Sequence, residues 1–362
     1  MLEIDLDAVV ENWRTLRAKV APDVACAAVV KADAYGLGLA PVVQSLAAIG
    51  CTLFFVATIE EGLAARRLLP DADIAVLNGL LPGAEAEFAA GRLTPVLNDL
   101  GQIDAWRRWA SRQGSAHPAM LHIDTGMARL GLDRPGLSTL LEEKDRLEGI
   151  ALTAILSHLA CADTPDHPQN AAQHRAFSKA LAAFPGIAAS LAASSGVFLG
   201  SAYHFAIVRP GAALYGVNPV APSPNPMRPV VHLKARLLQV RDIDSGESVG
   251  YGAAHRMDRV GRIATIAMGY ADGWLRSGSH RGSARIGYQR APLIGRISMD
   301  LLTLDVTGID PALLLPGSFV DLLDEEVGVD AQAQAAGTIG YEILTALGRR
   351  HHRVYRGGRW AP

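Results

Sequence analysis

Val24-Ala25-Cys26-Ala27-Ala28-Val29-Val30 is an unbroken apolar run that stops at Lys31-Ala32-Asp33-Ala34-Tyr35-Gly36. Apolar at every position and bounded by β-branched residues, it reads as a parallel strand buried on both faces. A lysine at the mouth of such a strand is partly desolvated. Desolvation disfavours the ammonium form, lowers the pKa and makes the amine a nucleophile toward an aldehyde. A lysine that only caps the strand and snorkels to water would leave the same local pattern. The rest of the chain has to decide between the two.

Working outward, short apolar runs recur at 53–57, 74–77, 95–97, 119–124, 152–157, 187–193 and 206–208. Segments rich in Ala, Leu, Glu, Gln and Arg lie between most of them, at 40–49, 59–69, 82–90, 100–113 and 169–184. Pro82 and Pro135 sit where first-turn prolines belong, and Gly50 follows a helix as a C-cap would. The stretch joining the last two strands is poorly helical. Strands alternating with helices in this number predict an α/β chain with an N-terminal (β/α)8 TIM-type barrel over residues 1–217. Asn218 to Pro226 carries four prolines with little periodicity, and 218–228 reads as a linker. Beyond it, alternating runs at 230–240, 262–268, 293–297, 301–306 and 318–323 predict a mostly-β C-terminal domain over 229–362. The first few residues of the chain could join that domain. One late helix is expected at about 338–347, before a basic, aromatic tail.

The chain has 362 residues, 49% hydrophobic and 19% charged, which suits two sizeable cores and argues against disorder. A net charge of −2 leaves no basic footprint for nucleic acid. No apolar run reaches the length of a membrane span, and Met1 to Asp7 lacks the apolar core of a signal peptide. Cys26, Cys51 and Cys161 are scattered without a C-x-x-C spacing; the first two read as core, and the set fits a reducing cytoplasm.

In an eight-stranded α/β barrel the chemistry sits at the C-terminal ends of the strands. Lys31 and Tyr35 follow strand one, Arg129 strand five, His158 strand six, and Ser194 and Ser195 strand seven; Arg209 follows strand eight. Each alone is ordinary loop chemistry, and their gathering at one face makes the set a candidate site. His158, Asp163 and His167 match no standard zinc spacing, so no metal is expected. His351-His352, with Arg349, Arg350, Arg353 and Arg356, reads as a solvated face or a contact between copies. The turns near Gly278 and Gly282 do not fit a phosphate-binding loop.

These residues lie in motifs that resemble the alanine racemase family, in order and over nearly the whole chain. They are Val29 to Gly36, Ile123-Asp124-Thr125-Gly126-Met127-Ala128-Arg129-Leu130-Gly131, Ser157-His158-Leu159-Ala160, Ala193-Ser194-Ser195-Gly196 and Val208-Arg209-Pro210-Gly211-Ala212. In the second domain they are Gly250-Tyr251-Gly252, Met268 to Gly273, Gly295-Arg296-Ile297-Ser298-Met299-Asp300 and Ile339-Gly340-Tyr341-Glu342. The resemblance implies pyridoxal 5'-phosphate on Lys31 and two-base interconversion of L-alanine and D-alanine by Lys31 and Tyr251. It implies that Arg129 reaches the cofactor's phenolic oxygen and that His158 lies beside the pyridine ring. Arg209 would face the ring nitrogen. Hydroxyls and backbone N–H groups of Tyr35, Ser194, Gly211, Ala212 and Tyr341 would hold the phosphate, and Leu77 completes the cofactor-binding set. Arg129, Met299 and Tyr270 would contact or crowd the substrate. Tyr251 would need its proton drawn off, with His158 and Arg209 as links. The resemblance also implies a homodimer with composite sites, Tyr251 coming from the second copy, and a role in supplying D-alanine for peptidoglycan.

A guanidinium does not surrender its proton to a pyridine, so Arg209 would keep the ring a weak electron sink and favour racemisation over transamination. One departure stands out. Many members have a carbamylated lysine where this chain has His122, and histidine offers no long primary amine. Arg129 would then be oriented by neutral His122, by a nearby carboxylate or by a small anion; alternatively His122 only fills the barrel. Within the same fold the alternatives are a broader amino-acid racemase and a basic amino-acid decarboxylase, the latter expected to carry cysteine near Ser298-Met299-Asp300. A pyridoxal-phosphate carrier without catalysis and a zinc-dependent barrel hydrolase are the readings from other classes.

Overall fold

The structure, a computed structural model, describes residues 1–360. The quoted run is one barrel stave in two short pieces, β2 (Ala25–Cys26) and β3 (Ala28–Val29), after an initial strand β1 (Leu2–Asp5). The following staves are β4 (Leu53–Val56), β5 (Asp73–Val76), β6 (Thr94–Leu97), β7 (His117–His122), β8 (Ile150–Leu156), β9 (Ala188–Ala193) and β10 (Ile207–Arg209). All pair in parallel, in the order β2-β10-β9-β8-β7-β6-β5-β4-β3. With β2 against β10 and β3 against β4, the sheet closes. The break at Ala27 is where the stave passes from one neighbour to the other, its N–H bonding Val208 O at 3.0 Å. Two-sided burial explains the apolar sequence: Ala27, Ala28, Val30, Phe54, Phe55 and Val56 are all fully buried.

The helices expected between strands are present at Leu39–Ala47, Ile59–Leu68, Leu100–Gln113 and Pro168–Leu181. Pro135 lies in the first turn of the helix Arg134–Glu142, capped by Asp133. Pro82 does not start a helix. It belongs to a turn closed by Gly83 at φ +86°, and the helix there is Glu85–Ala90.

The second part of the chain is built on β11 (Val231–Ile243), followed by the small pair β12 (Ser248–Val249) and β13 (His255–Arg256). The remaining strands are β14 (Gly261–Ile266), β15 (Ser283–Ile286), β16 (Gln289–Ile294), β17 (Leu302–Asp305), β18 (Phe319–Leu323) and β19 (Arg353–Arg356). The sheet order is β14-β17-β16-β15-β18-β11-β1-β19, and β14 also pairs with β11. Thus β1 lies in this sheet, antiparallel to β11 and parallel to β19. The late helix, Gly340–Ala346, is preceded by a second one at Val329–Ala336 that the expected single helix omits. The basic tail is largely exposed, as expected, but not unstructured: its Arg353–Arg356 segment is β19, and Arg356 pairs with Glu3 at 3.0 Å. Between Gly216 and Val230 the chain is a series of turns, pinned by Asn218 Nδ2 to Ser223 O and Asn225 Nδ2 to Gly216 O, both 2.8 Å.

Candidate active site

The staves end at the rim of a cavity of about 890 Å³, within the size range of small-molecule sites. Lys31, Tyr35, Leu77, Arg129, His158 and Arg209 line it, together with Ser194, Gly211, Ala212 and Tyr341. Every barrel residue expected at the site is therefore gathered in one place. Tyr341, on the helix Gly340–Ala346 of the second part of the chain, also lines the cavity and meets Tyr35 edge-on with ring centroids 6.2 Å apart.

Lys31 opens an unusual turn. Ala32, Asp33, Ala34 and Tyr35 all have φ between 54° and 56°, a left-handed turn without a glycine until Gly36. For L-residues this conformation costs roughly 1–2 kcal/mol each, so surrounding contacts must over-determine it. The contacts are present. Glu61 accepts from Ala32 N at 2.7 Å, and Asp33 Oδ1 accepts from Leu39 N at 2.7 Å. From β19, Arg353 donates to Gly36 O at 2.6 Å and the Tyr355 hydroxyl to Leu37 O at 2.9 Å. Burial, helped by the charge of Arg129, lowers the Lys31 pKa, while Glu61 opposes the shift.

Arg209, the last residue of β10, is buried and donates to Ser190 Oγ and, at 2.7 Å, to Ser157 O. Both partners are neutral, and burial pushes the guanidinium down to about 10, still protonated at neutral pH. His158 lines the same wall. Its pKa is pushed down to about 3, by burial first and then by the cations Arg209, Arg129 and Lys31 and by His122. Its position is set by Gln173, which accepts from Ala160 N and donates to His158 O, each at 2.8 Å.

The Ser194 hydroxyl oxygen accepts from Gly211 N at 3.0 Å and from Ala213 N at 3.2 Å. Its own proton is therefore free to donate into the cavity. The Gly211 N–H, expected to face a phosphate, is the one that bonds the Ser194 oxygen, and Gly211 lines the cavity beside it. Glycine is needed here for space, because a Cβ would lie 2.4 Å from the Tyr35 hydroxyl.

His122 Nδ1 lies 2.8 Å from Asn98 Oδ1. Asn98 Nδ2 donates to Val96 O at 2.8 Å and Leu77 O at 3.2 Å, which fixes its oxygen as the acceptor and His122 Nδ1 as the donor. Burial, with the charges of Arg209 and Arg129, lowers the His122 pKa to about 4. The ring is thus neutral with Nε2 unprotonated. The carboxylate within the Arg129 motif is committed elsewhere: Asp124 accepts from Gly126, Met127 and Ala128 N at 2.9–3.2 Å and shapes the loop.

Tyr251, Tyr270 and Met299 are not brought into this cavity. They lie on the second part of the chain, with Tyr251 71% exposed and the others about half exposed. Within one chain neither His158 nor Arg209 meets Tyr251. Sequence reasoning did not single out Asn98 or Glu61. Asn98 follows β6 and would have been found by extending the strand-end rule to uncharged residues. Glu61 was concealed by its helix-capping pattern, Thr58-Ile59-Glu60-Glu61.

Residues 4–219 match the family "Alanine racemase, N-terminal domain" and residues 230–355 match "Alanine racemase, C-terminal domain". An alanine racemase of Rhodospirillum rubrum is 49% identical over 360 residues, covering 99% of this chain and 96% of the relative. A relative from Mesorhizobium japonicum named "Alanine racemase, catabolic" is 46% identical, covering 99% of this chain and 93% of its own. Among solved structures, alanine racemase from Bartonella henselae, with covalently bound pyridoxal phosphate, superposes with a TM-score of 0.94. It is 40% identical and covers 98% of this chain and 99% of its own. Biosynthetic alanine racemase from Pseudomonas aeruginosa superposes with a TM-score of 0.92 at 34% identity, covering 99% of each chain. The chain belongs to the alanine racemase family.

Proposed function

We propose that the protein interconverts L-alanine and D-alanine, with pyridoxal 5'-phosphate held on Lys31. The observation that carries this reading is the chemistry of one cavity. It joins a lysine of lowered pKa, a buried arginine paired only to neutral groups, and the hydroxyls of Tyr35, Ser194 and Tyr341. These residues fit the group. The Ser194 proton, the Tyr35 and Tyr341 hydroxyls and the backbone at Ala212 form a donor set for a phosphate, and Arg209 offers a cation to a ring nitrogen. When bound, pyridoxal phosphate supplies an electron sink that eases loss of the amino acid's Cα proton.

Lys31 would hold the group through its Nζ, and the same amine is placed to take or return the Cα proton on one face. Burial and the charge of Arg129, which lower its pKa, favour the base form. Tyr251 does the same on the other face. Arg209 would donate to the ring nitrogen without giving up its proton, which would keep the ring a weak electron sink. Arg129 offers a cation to anionic oxygen near the substrate, and His158, neutral at any physiological pH, packs beside the ring without adding charge.

Tyr251, Tyr270 and Met299 act from a second copy of the chain, in a homodimer with composite sites. Their exposure in the single chain supports this, as does the family resemblance. Racemisation has an equilibrium constant of one in water, so direction follows supply and removal. D-alanine formed in the cytoplasm would be drawn off into peptidoglycan. Among the described residues, no helix is long and apolar enough to cross a membrane.

The test is chiral chromatography of single enantiomers incubated with purified, pyridoxal-phosphate-loaded protein. Alanine should be fastest and serine slower, because an added hydroxymethyl costs only modest discrimination. Lysine and arginine should be nearly inert. Comparable rates for lysine would select the broader racemase, and no inversion of alanine would overturn the proposal.

A further inference from the structure

Glu61 sits in the helix Ile59–Leu68 that follows β4, half-buried and outside the set of residues lining the cavity. Its Oε2 accepts from Ala57 N at 2.8 Å and Thr58 N at 3.4 Å, and Thr58 Oγ1 accepts from Glu61 N at 3.4 Å. Those contacts make an ordinary capping box. Its other oxygen does something a cap does not need. Oε1 turns to the neighbouring stave and accepts from Ala32 N at 2.7 Å, the amide directly after Lys31. One carboxylate therefore ties the ends of two adjacent staves together at the point where the left-handed turn begins.

We propose that Glu61 is a positioning residue: by clamping Ala32 to the end of β4 it holds the left-handed turn and fixes where Lys31 and Tyr35 enter the cavity. This rests on the function proposed above and deepens it. The turn's own sequence does not favour its conformation, since Ala32, Asp33, Ala34 and Tyr35 all prefer negative φ. Its far end is held by Arg353 and Tyr355, through Gly36 O and Leu37 O. At its near end Glu61 is the side chain bonded to it. A carboxylate is required because three N–H groups converge on two acceptor oxygens. A carboxamide has one acceptor, and its NH2 would meet an N–H head-on. The same charge faces the Lys31 ammonium and opposes the combined effect of burial and Arg129, so it also bears on the pH at which the amine is free.

The experiment compares the full chain with Glu61→Gln and Glu61→Asp. Cofactor-free protein is mixed with pyridoxal phosphate across a pH series, and the appearance of the visible band of lysine-bound cofactor is timed. Amide hydrogen exchange of residues 32–38 is measured by mass spectrometry on the same preparations. In Glu61→Gln the high-pH plateau of capture should fall at least tenfold and its midpoint should move to lower pH. Exchange should quicken at 32–38 while the other staves keep their protection. Glu61→Asp keeps the charge but is too short to span both staves. It should keep the midpoint and lose the plateau, which separates charge from reach even if the Gln variant folds poorly. Parental capture in both variants, or quickened exchange spread over the whole barrel, would overturn the role. A parent that captures no pyridoxal phosphate overturns the proposed function and this role together, whereas a capturing parent beside unaffected variants overturns the role alone.

Discussion

At the scale of single residues, the site joins cations with bases held neutral. Lys31→Ala removes the only amine among the cavity-lining residues. The protein should lose the visible band of bound pyridoxal phosphate, and racemisation should fall by about 10²–10⁴-fold or more. His122 and His158 make a prediction of the opposite sense, in stability rather than rate. Their folded pKa values, about 4 and about 3, lie below the unfolded 6.5, so the unfolded chain binds more protons between those limits. Stability is therefore full above pH 6.5 and declines as pH falls toward 3, each tenfold loss of proton affinity on folding being worth about 1.4 kcal/mol at most. His122→Asn should flatten the upper part of that decline in urea titrations at successive pH values, a steeper slope than the parent's counting against the assignment. Asn98→Ala leaves the His122 Nδ1–H without its acceptor, at a cost of about 1–3 kcal/mol. With His122 in place of a long amine, intact mass should show no carbamate-sized adduct and activity should not depend on bicarbonate.

At the scale of elements, the staves and their end residues were legible because two-sided burial writes itself as apolar runs and polar residues then cluster at the ends. Lys31, His158, Ser194 and Arg209 followed directly from that rule. The left-handed turn was not legible. Ala32-Asp33-Ala34-Tyr35 carries no glycine to signal positive φ, and its conformation is imposed by partners as distant as Arg353 and Tyr355. The same long-range dependence hid β19, a short edge segment that is a strand only by pairing with β1, which lies between it and β11. The bond from Gly211 N to the Ser194 oxygen was not legible for a different reason: the partner of a backbone donor is set by the fold and leaves no mark in the sequence. These contacts predict coupling between β19 and the site. Tyr355→Phe removes only the hydroxyl that bonds Leu37 O. It should cost about 0.5–1.5 kcal/mol in global stability, and the affinity for pyridoxal phosphate should weaken by a few-fold. Unchanged affinity in an equilibrium titration would show the turn to be held without β19.

At the scale of the whole molecule, the distribution of exposure supports an assembly of two copies. The cavity collects the barrel's residues and Tyr341, while Tyr251, Tyr270 and Met299 are exposed on turns between the strands of the second part of the same chain. A tyrosine that is 71% exposed has no reason to be chemically important unless something is placed against it. If that something is another copy, two defective chains can repair one another. Lys31→Ala lacks the amine but keeps Tyr251; Tyr251→Phe keeps the amine but lacks the hydroxyl. Each should be nearly inactive alone. Mixed in equal amounts and allowed to exchange, half of the dimers are heterodimers. Every heterodimer has one site with both intact groups and one with neither. Recovered activity should therefore approach roughly a quarter of the parent's per chain, as expected of an isologous two-fold assembly. The recovered fraction should fall on dilution below the dimer's dissociation constant. If both groups of a site came from the same chain, no mixture could exceed the mean of the two variants. Activity at that mean under conditions where exchange is confirmed would rule out the composite site.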